Sequence, residues 1–280
     1  MELNGHVDLD LSGIRLRLEG MSPAVENGVR ESWAAFVSSG ADVPFLICRF
    51  GRRAEVARDG PFLPKEMKSE LALTRAVFTM PEGRAEVDAD GEANIDLARS
   101  LGRREYWTAM NLLRACLAWR LPQRGAALVH AAALAVEGKG YLLVGAEGSG
   151  KSSWARLGEQ GGATVVSDDL VLVETTREGV ELLGAPFRST HIADYRPGRW
   201  PVAAILFPRH GAPATWSRAT ALIARARILA NLPFVAEATA RDSRVERLVE
   251  RLATGVACLD FTFALDLTFL ELLRSGPRGA

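Results

Sequence analysis

The hydrophobic and polar positions of the first hundred residues predict a mixed unit rich in strands. Residues 14–18 alternate between apolar and charged side chains with a period of two, as a half-buried strand does. Residues 23–36 predict a helix with Ser22 as its N-cap and Pro23 in its first turn. Residues 71–79 and 84–87 have the composition of two strands that pair across the turn at residues 80–83.

The pattern changes near residue 104 and predicts a second, larger unit. A helix over residues 104–121 leads to a strand of small apolar residues at 126–136, a turn at 137–140 and a short buried strand at 141–144. The pattern then predicts, in chain order, a helix at 152–159, strands at 163–167, 170–173 and 203–207, helices at 219–232 and 243–253, a strand at 257–263 and a helix at 267–273. We therefore predict an α/β protein, α+β overall, with a strand-rich domain at residues 1–103 and a larger domain at 104–280.

Composition narrows the classes of function and location. The 34 basic and 34 acidic residues balance to zero net charge, which argues against a large basic surface for nucleic acid. The chain contains no apolar run long enough to cross a membrane, and its acidic start does not resemble a signal peptide. Cys48, Cys116 and Cys258 lie in separate apolar runs, which predicts buried free thiols, a reducing compartment and a cytoplasmic protein.

A glycine-rich segment between the strand at 141–144 and the next helix carries the strongest chemical signal. Residues 145–152 read GAEGSGKS, which satisfies the phosphate-loop pattern GxxxxGK[ST] at every fixed position. Such a loop points several backbone N–H groups at one anion, in conformations that glycine adopts at low cost. We therefore predict that a nucleoside triphosphate binds at the following residues: Gly145, Gly148, Ser149, Gly150, Lys151, Ser152 and Ser153. Lys151 supplies a positive charge, and the Ser152 hydroxyl is a hard oxygen ligand for Mg²⁺.

Two adjacent carboxylates follow the next predicted strand. Asp168 and Asp169 come directly after the apolar residues 163–167, where phosphate-loop enzymes place a metal-binding carboxylate. Successive residues of an extended chain point to opposite sides, so we expect different roles for the two. One would reach the metal, and the other would accept a proton from an attacking hydroxyl. The alternative is a turn with two solvated acids.

A histidine on the strand before the loop is a third candidate. His130 lies among small apolar residues, where a histidine is usually a satisfied core residue. The predicted hairpin, however, places this strand beside the one that leads into the glycine-rich loop. An imidazole there can orient a carboxylate or stabilise phosphoryl oxygens, and we favour that interpretation. His191 and His210 lie in turn-rich segments and are expected at the surface.

These motifs, taken in order, resemble the catalytic domain of the HPr kinase/phosphorylase family. The resemblance covers about residues 126–190 and consists of Val129-His130, the run 138–145, the loop 148–153 and the run 165–171 with its paired aspartates, followed by Ala185-Pro186. It implies a phosphate-loop domain of the HPr kinase/phosphoenolpyruvate-carboxykinase type, with ATP and Mg²⁺ as cofactors. It also implies transfer of a phosphoryl group to a serine hydroxyl, with Asp168 as the base and Asp169 and His130 supporting the metal and the transferring group.

The chain departs from the family pattern in two places. The family has a Glu-x-Arg-Gly signature after the Ala-Pro, and the nearest match here is Asp194-Tyr195-Arg196-Pro197, which makes Asp194 a candidate metal ligand. Arg188 is a further candidate, as a cation that stabilises the transition state. The first 120 residues do not resemble the N-terminal domain of the family's enzyme. The chain looks more like the divergent HPr-kinase-like proteins, some of which are similar to kinases that modify ribosomally made precursor peptides, including lasso peptides. The N-terminal unit would then recognise the acceptor.

Three functions stay open at the level of sequence. The first is a kinase that acts on a serine of a protein or peptide. The second is a small-molecule kinase on the same scaffold, because no motif identifies the acceptor. The third is a nucleotide-binding regulator without transfer activity, against which the second aspartate argues. We expect no nucleic-acid or membrane partner, and a homo-oligomer stays an open alternative.

Overall fold

The computed structural model describes residues 5–40, 42–52, 67–99, 101–102, 104–187, 195–235 and 242–277. The chain divides into two compact units, residues 1–120 and 121–280. The described residues form six α-helices and two eight-stranded sheets, so the protein is a mixed α/β protein, α+β overall. The sequence predicted that the larger domain starts at residue 104. In the structure the helix Arg104–Arg120 belongs to the first unit, so the second unit starts at residue 121.

The described residues of the first unit form one sheet, two α-helices and a 3₁₀ turn. The strands are β1 His6–Asp10, β2 Arg15–Glu19, β3 Val37–Ser38, β4 Leu46–Arg52, β5 Lys68–Leu71, β6 Arg75–Met80, β7 Gly83–Asp88 and β8 Glu92–Leu97, in the order β3-β1-β2-β4-β8-β7-β6-β5. The helices are α1 Pro23–Ser32 and α2 Arg104–Arg120, with the 3₁₀ turn at Ala34–Phe36. Helix α2 packs on β7, where Gly83 has no side chain to keep Leu112 away from the strand.

The predicted elements of this unit are largely confirmed, with shifted ends. Ser22 caps α1, since its side chain accepts a hydrogen bond from the amide of Val25. The helix ends at Ser32 instead of Phe36, because Trp33 leaves helical geometry at φ −120° and is buried. Strands β6 and β7 pair antiparallel as the turn at 80–83 predicted, but Leu71 belongs to the preceding strand.

The second unit contains the glycine-rich segment. Its strands are β9 Ala126–Val136, β10 Lys139–Val144, β11 Thr164–Ser167, β12 Leu170–Thr175, β13 Val180–Leu183, β14 Arg199–His210, β15 Thr215–Arg218 and β16 Ala257–Phe263. Its helices are α3 Lys151–Gln160, α4 Ala221–Leu229, α5 Ser243–Gly255 and α6 Thr268–Ser275, with a 3₁₀ turn at Leu121–Arg124. The predicted bounds of β9 and β16 match the observed ones.

Strand β9 organises the sheet of the second unit because its two halves have different partners. Its second half forms the predicted antiparallel hairpin with β10, from Lys139 opposite Val136 to Val144 opposite Ala131. Its first half pairs with β12, and His130 lies opposite Leu170. Strands β10, β14 and β16 run parallel to each other. The glycine-rich loop therefore leaves the carboxyl end of a parallel strand, the edge at which open α/β sheets bind ligands.

Large aromatic side chains fill the core between this sheet and helices α3 and α6. Trp154 and Phe269 are fully buried with ring centroids 5.8 Å apart, and Phe269 lies edge-on to Phe263 at 6.1 Å. The hydroxyl of Tyr141 donates to the carbonyl of Leu273 at 2.5 Å, which ties α6 to β10. These contacts fix the start of α3, and with it the loop, on the sheet.

Two features of the composition, the cysteines and the lack of long apolar runs, can be compared with the structure. All three cysteines are buried free thiols, as predicted. Burial raises the pKa of the Cys258 thiol to about 11 and raises those of Cys48 and Cys116 as well, so these groups stay protonated and inert. Among the described helices, none combines the length and the apolar character that a membrane span needs.

Candidate functional site

The loop between β10 and α3 depends on three glycines for different reasons. Gly148 and Gly150 have φ values of +78° and +90°, which L-residues with a side chain rarely adopt. A Cβ on Gly145 would lie 2.7 Å from both Pro208 Cγ and Ser149 Oγ, so the space there excludes a side chain. The pattern of glycines in the motif therefore follows from the shape of this loop.

The backbone amides of the loop are largely free to bind an anion. From Gly148 to Ser153, within the described part of the chain, only the amide of Ser149 donates to a protein acceptor, the carbonyl of Ala146 at 3.2 Å. The first intrahelical bond of α3 runs from the amide of Trp154 to the carbonyl of Gly150, and no side chain caps this helix. Unpaired amides at a helix N-terminus attract negative charge.

Lys151 is the one lysine of this segment, and it is folded onto the loop. Its side chain is buried, and its ammonium donates to the carbonyls of Gly145 at 2.7 Å and Ala146 at 2.9 Å. Burial lowers the pKa of this amine, and the negative charges of Asp169 and Glu147 oppose that shift. An ammonium has three donors, so one remains to meet a ligand.

The two aspartates lie between β11 and β12 and have different environments, as the alternation of an extended chain predicted. Asp168 is 4% exposed, and its Oδ1 accepts a hydrogen bond from the Tyr195 hydroxyl at 2.9 Å. The side chain of Asp169 is 36% exposed and lies with Oδ1 3.4 Å from Nδ1 of His130. Ser167 fixes the turn that joins β11 to β12, because its hydroxyl donates to the carbonyl of Phe187 at 2.8 Å.

His130 faces the site instead of the core. Its side chain is 40% exposed although the residues on either side of it, Val129 and Ala131, are fully buried. Its backbone amide donates to the carbonyl of Asn231 at 2.8 Å, which holds the middle of β9 in place. The predicted hairpin of β9 and β10 is confirmed, and it brings this imidazole to the loop.

One cavity of about 350 Å³ collects these groups. It is lined by His130, Glu147, Gly148, Gly150, Lys151, Ser152, Ser153, Asp168 and Asp169. Of the predicted nucleotide-binding residues, Gly145 and Ser149 belong to the loop but do not line the cavity. Arg188 and Asp194, predicted as a catalytic cation and a metal ligand, lie outside the described residues.

The charges of the cavity favour an anion that arrives with a cation. Three carboxylates, those of Glu147, Asp168 and Asp169, line it together with one ammonium. A free polyphosphate would meet net repulsion from these carboxylates, whereas a complex with a divalent cation would not. Within the described residues there is no cluster of three His, Cys, Asp or Glu side chains of the kind that holds a metal by itself. Mg²⁺ commonly binds instead through one or two protein oxygens and the phosphates of its ligand.

Sequence reasoning missed three residues near this site. Glu147 occupies a variable position of the motif, and Tyr195 reaches Asp168 from 27 residues away. His210 is exposed, as predicted, but it ends β14 instead of lying in a turn, and its ring lies against the loop. A Cβ on Gly150 would lie 3.1 Å from its Cε1. One feature of the sequence pointed to Tyr195: it lies within residues 194–197, the segment that we compared with the Glu-x-Arg-Gly signature.

No protein-family model and no curated protein sequence matches the chain.

Proposed function

We propose that this protein is an ATP-dependent kinase that transfers the γ-phosphoryl group of Mg-ATP to a serine hydroxyl of a protein or peptide. The observation that carries the proposal is the cavity in which the free amides of the glycine-rich loop, Lys151, His130 and the paired aspartates come together. Phosphoryl transfer needs positioning and charge stabilisation more than covalent chemistry, and these groups supply both.

The donor set fits a nucleoside triphosphate. The unpaired amides of Gly150 and Ser152 and the ammonium of Lys151 are donors for phosphate oxygens. Ser152 and Asp169 offer hard oxygen ligands on the same cavity wall. Mg²⁺, held there by these two residues, would neutralise the charge that develops on the phosphate oxygens.

The different environments of the aspartates support separate roles. Asp169 lies near both His130 and the charge of Lys151, which suits the metal and phosphate side of the cavity. Asp168 is held by the Tyr195 hydroxyl, which suits a general base with a fixed orientation. In the proposed step the serine Oγ forms a bond to the γ-phosphorus while the bond to the bridging oxygen breaks. ADP leaves with the electron pair, and the hydroxyl proton passes to Asp168.

The topology supports the finer fold assignment that we include in this proposal. A phosphate-loop domain of the HPr kinase/phosphoenolpyruvate-carboxykinase type has a hairpin before its loop and a pair of carboxylates after its first helix. Here β9 and β10 form such a hairpin, and Asp168 and Asp169 follow α3 and β11. The buried free thiols suit a reducing compartment, so we place the reaction in the cytoplasm.

Two alternatives share the cavity and differ in what they do with it. A small-molecule kinase would use the same groups with a different acceptor. A nucleotide-binding regulator would need the phosphate and metal contacts but no second carboxylate, and the buried, hydrogen-bonded Asp168 argues against it. We therefore favour a kinase.

The test is incubation with γ-labelled ATP, Mg²⁺ and the proteins or peptides encoded beside this chain, followed by mass spectrometry of the products. We expect a phosphorylated serine. Asp168→Asn keeps the shape of the side chain and should lower the transfer rate about 10²- to 10⁴-fold, with the affinity for ATP unchanged. If Asp168→Asn transfers phosphate as fast as the wild type, Asp168 is not the base. If small metabolites are labelled in place of peptides, the acceptor class is wrong.

A further inference from the structure

A second cleft in the unit of residues 121–280 is lined by arginine side chains. It measures about 510 Å³ and is lined by Pro122, Gln123, Arg124, Gly125, Thr175, Arg244, Arg247, Leu248 and Arg251. No carboxylate is among these described lining residues. Pro122 and Leu248 are buried and give the cleft an apolar floor. It is therefore a basic groove with an apolar base, separate from the cavity at the glycine-rich loop.

Two of the four guanidinium groups are already neutralised by carboxylates. Arg124 donates to Glu174 at 2.6 Å, and Arg244 forms two-pronged bonds to Asp242 at 2.7 and 2.9 Å. These pairs shape the rim and leave little charge for a ligand.

Among the described residues, Arg247 and Arg251 form no such bonds to a carboxylate, although the Asp242 carboxylate attracts Arg247 over a longer distance. Arg247 donates to the hydroxyl of Ser243 at 2.9 Å, and Arg251 donates to the carbonyl of Thr176 at 2.8 Å. Across the described ranges, neither makes an ion pair with a carboxylate. Both side chains are exposed. Each therefore has charge and unused N–H donors that face the cleft.

The spacing of these two arginines suits an extended chain. They lie four residues apart on α5, which corresponds to about 6 Å along the helix axis. Side chains on one side of an extended peptide repeat every two residues, at about 6.6 Å. Two acidic side chains of such a peptide would each meet one guanidinium, whereas a single phosphate would not reach both as well.

The cleft and the cavity lie at opposite ends of one strand ladder. Gly125 and Thr175 line the cleft and are joined by a hydrogen bond of 2.8 Å, which continues the pairing of β9 with β12. His130, opposite Leu170, lies at the other end and lines the cavity. Gly125 and His130 lie five positions apart along the chain, a span of about 17 Å.

We propose that the cleft lined by Arg124, Arg244, Arg247 and Arg251 binds an acidic, extended segment of a peptide. The role of this peptide as the phosphoryl acceptor rests on the proposed function. In that role, acidic residues would lie about five or more positions from the phosphorylated serine, as the length of the ladder requires.

The test is fluorescence anisotropy of the full chain with a short labelled peptide of alternating Glu and Gly, without nucleotide. A peptide of alternating Gln and Gly is the matched probe. We expect the Glu peptide to bind and the Gln peptide not to. Arg247→Glu with Arg251→Glu should weaken binding of the Glu peptide at least about tenfold. The control pair Arg156→Glu with Arg218→Glu changes two exposed arginines elsewhere in this unit by the same charge, and should change the affinity less than about twofold.

Three results would overturn the proposal. The control pair could weaken binding as much as the cleft pair, which would indicate attraction to net charge alone. The Gln peptide could bind as well as the Glu peptide. Tripolyphosphate could bind in a way that depends on Arg247 and Arg251 while the Glu peptide does not, which would indicate a site for small anions. Circular dichroism and thermal unfolding check that each variant folds, and Arg247→Gln with Arg251→Gln replaces the reversed pair if it does not.

Failure of this proposal and failure of the kinase assignment give different results. Calorimetry with Mg-ATP on the Arg247→Glu, Arg251→Glu protein reports on the nucleotide site alone, and anisotropy on Lys151→Ala reports on the cleft alone. If a variant loses peptide binding but still binds Mg-ATP, the cleft is affected. If it loses Mg-ATP binding but still binds the peptide, the glycine-rich loop is affected.

Discussion

The hydroxyl of Tyr195 donates a hydrogen bond of 2.9 Å to Oδ1 of Asp168, across 27 positions of the chain. Asp168 is 4% exposed, and a buried carboxylate needs hydrogen-bond donors to offset its lost hydration. Tyr195 therefore orients the aspartate to which we assign proton transfer, and it is a positioning residue for the proposed reaction.

Removing this hydroxyl should slow transfer without weakening nucleotide binding. Tyr195→Phe leaves the ring in place and removes one donor to Asp168. We expect kcat to fall about 10- to 100-fold while the Kd for Mg-ATP stays within about twofold. Steady-state kinetics and calorimetry measure the two quantities. A weaker Kd with an unchanged kcat would mean that Tyr195 serves the nucleotide site and not the base.

Gly150 gives a test of the loop with a matched control. Alanine at Gly150 must adopt φ +90°, and its Cβ would lie 3.1 Å from His210 Cε1, so either the His210 ring gives by a few tenths of an ångström or the loop shifts. Gly162 has a similar φ of +85°, and a Cβ there meets nothing within 4 Å. Both substitutions should destabilise the fold by about 1–2 kcal/mol, as a left-handed conformation does for alanine. Only Gly150→Ala should also weaken Mg-ATP binding, by at least about tenfold. Equal affinities in the two variants would mean that this loop does not bind the phosphates.

The affinity for Mg-ATP should depend on pH through Lys151. Burial lowers the pKa of this amine, and the carboxylates of Asp169 and Glu147 limit the shift. The ammonium is present at low pH and is lost as pH rises through the lowered pKa, so affinity should fall at a lower pH than for an exposed lysine, whose pKa is about 10.4. Calorimetry between about pH 7 and 10 measures this fall.

Lys151→Arg is the control for the pH experiment. A guanidinium stays protonated throughout this range, so the variant should bind more weakly at neutral pH but lose no further affinity as pH rises. A parallel fall in both proteins would assign the titration to another group.

Glu174 should contribute to the free energy of unfolding in a way that depends on pH. This contribution should be lost as pH falls, whereas the affinity for Mg-ATP should be lost as pH rises. It is buried between Arg124 and Arg199, at 2.6 and 2.5 Å. Burial raises the pKa of this carboxyl, but the hydrogen bonds from the two guanidinium groups outweigh burial and hold the pKa below its usual value. Its contribution is therefore complete above the unfolded-state pKa and is lost as pH falls through the folded-state pKa.

Denaturant unfolding of Glu174→Gln measures that contribution. We expect a loss of about 1–3 kcal/mol at neutral pH, since the two arginines are partly exposed and keep part of their hydration. The difference from the wild type should shrink below about pH 4. A difference that does not change with pH would show that packing, and not charge, is what the substitution removes.

The sequence predicted the local parts of the site well because each has a local cause. The strand, loop and helix around residues 141–160 follow from an apolar run, glycines at fixed spacing and an amphipathic segment, and the structure has them within two residues of the predicted ends. His130 reached the loop because a two-residue turn at Glu137 and Gly138 fixes the register of the β9–β10 hairpin.

The contacts that the sequence did not predict all join distant segments. Tyr195 meets Asp168 from 27 positions away in the chain. His210 meets Gly150 because β14 runs beside β10 through a parallel pairing that no local pattern specifies. The basic cleft has the same origin, since Arg124 and the arginines of α5 are more than a hundred residues apart in the chain. Periodicity indicates which face of a helix is polar, but not which segment that face will meet.

The central claim is that the loop Gly145–Ser152 binds the phosphates of a nucleotide together with a divalent cation, and isothermal titration calorimetry tests it most directly. Mg-ATP should bind the wild-type chain at one site, and Lys151→Ala should weaken that binding at least about tenfold. Because three carboxylates line the cavity, ATP with EDTA in place of Mg²⁺ should bind far more weakly than Mg-ATP. The absence of heat with every nucleoside triphosphate in the presence of Mg²⁺, or an equal affinity in Lys151→Ala, would contradict the account.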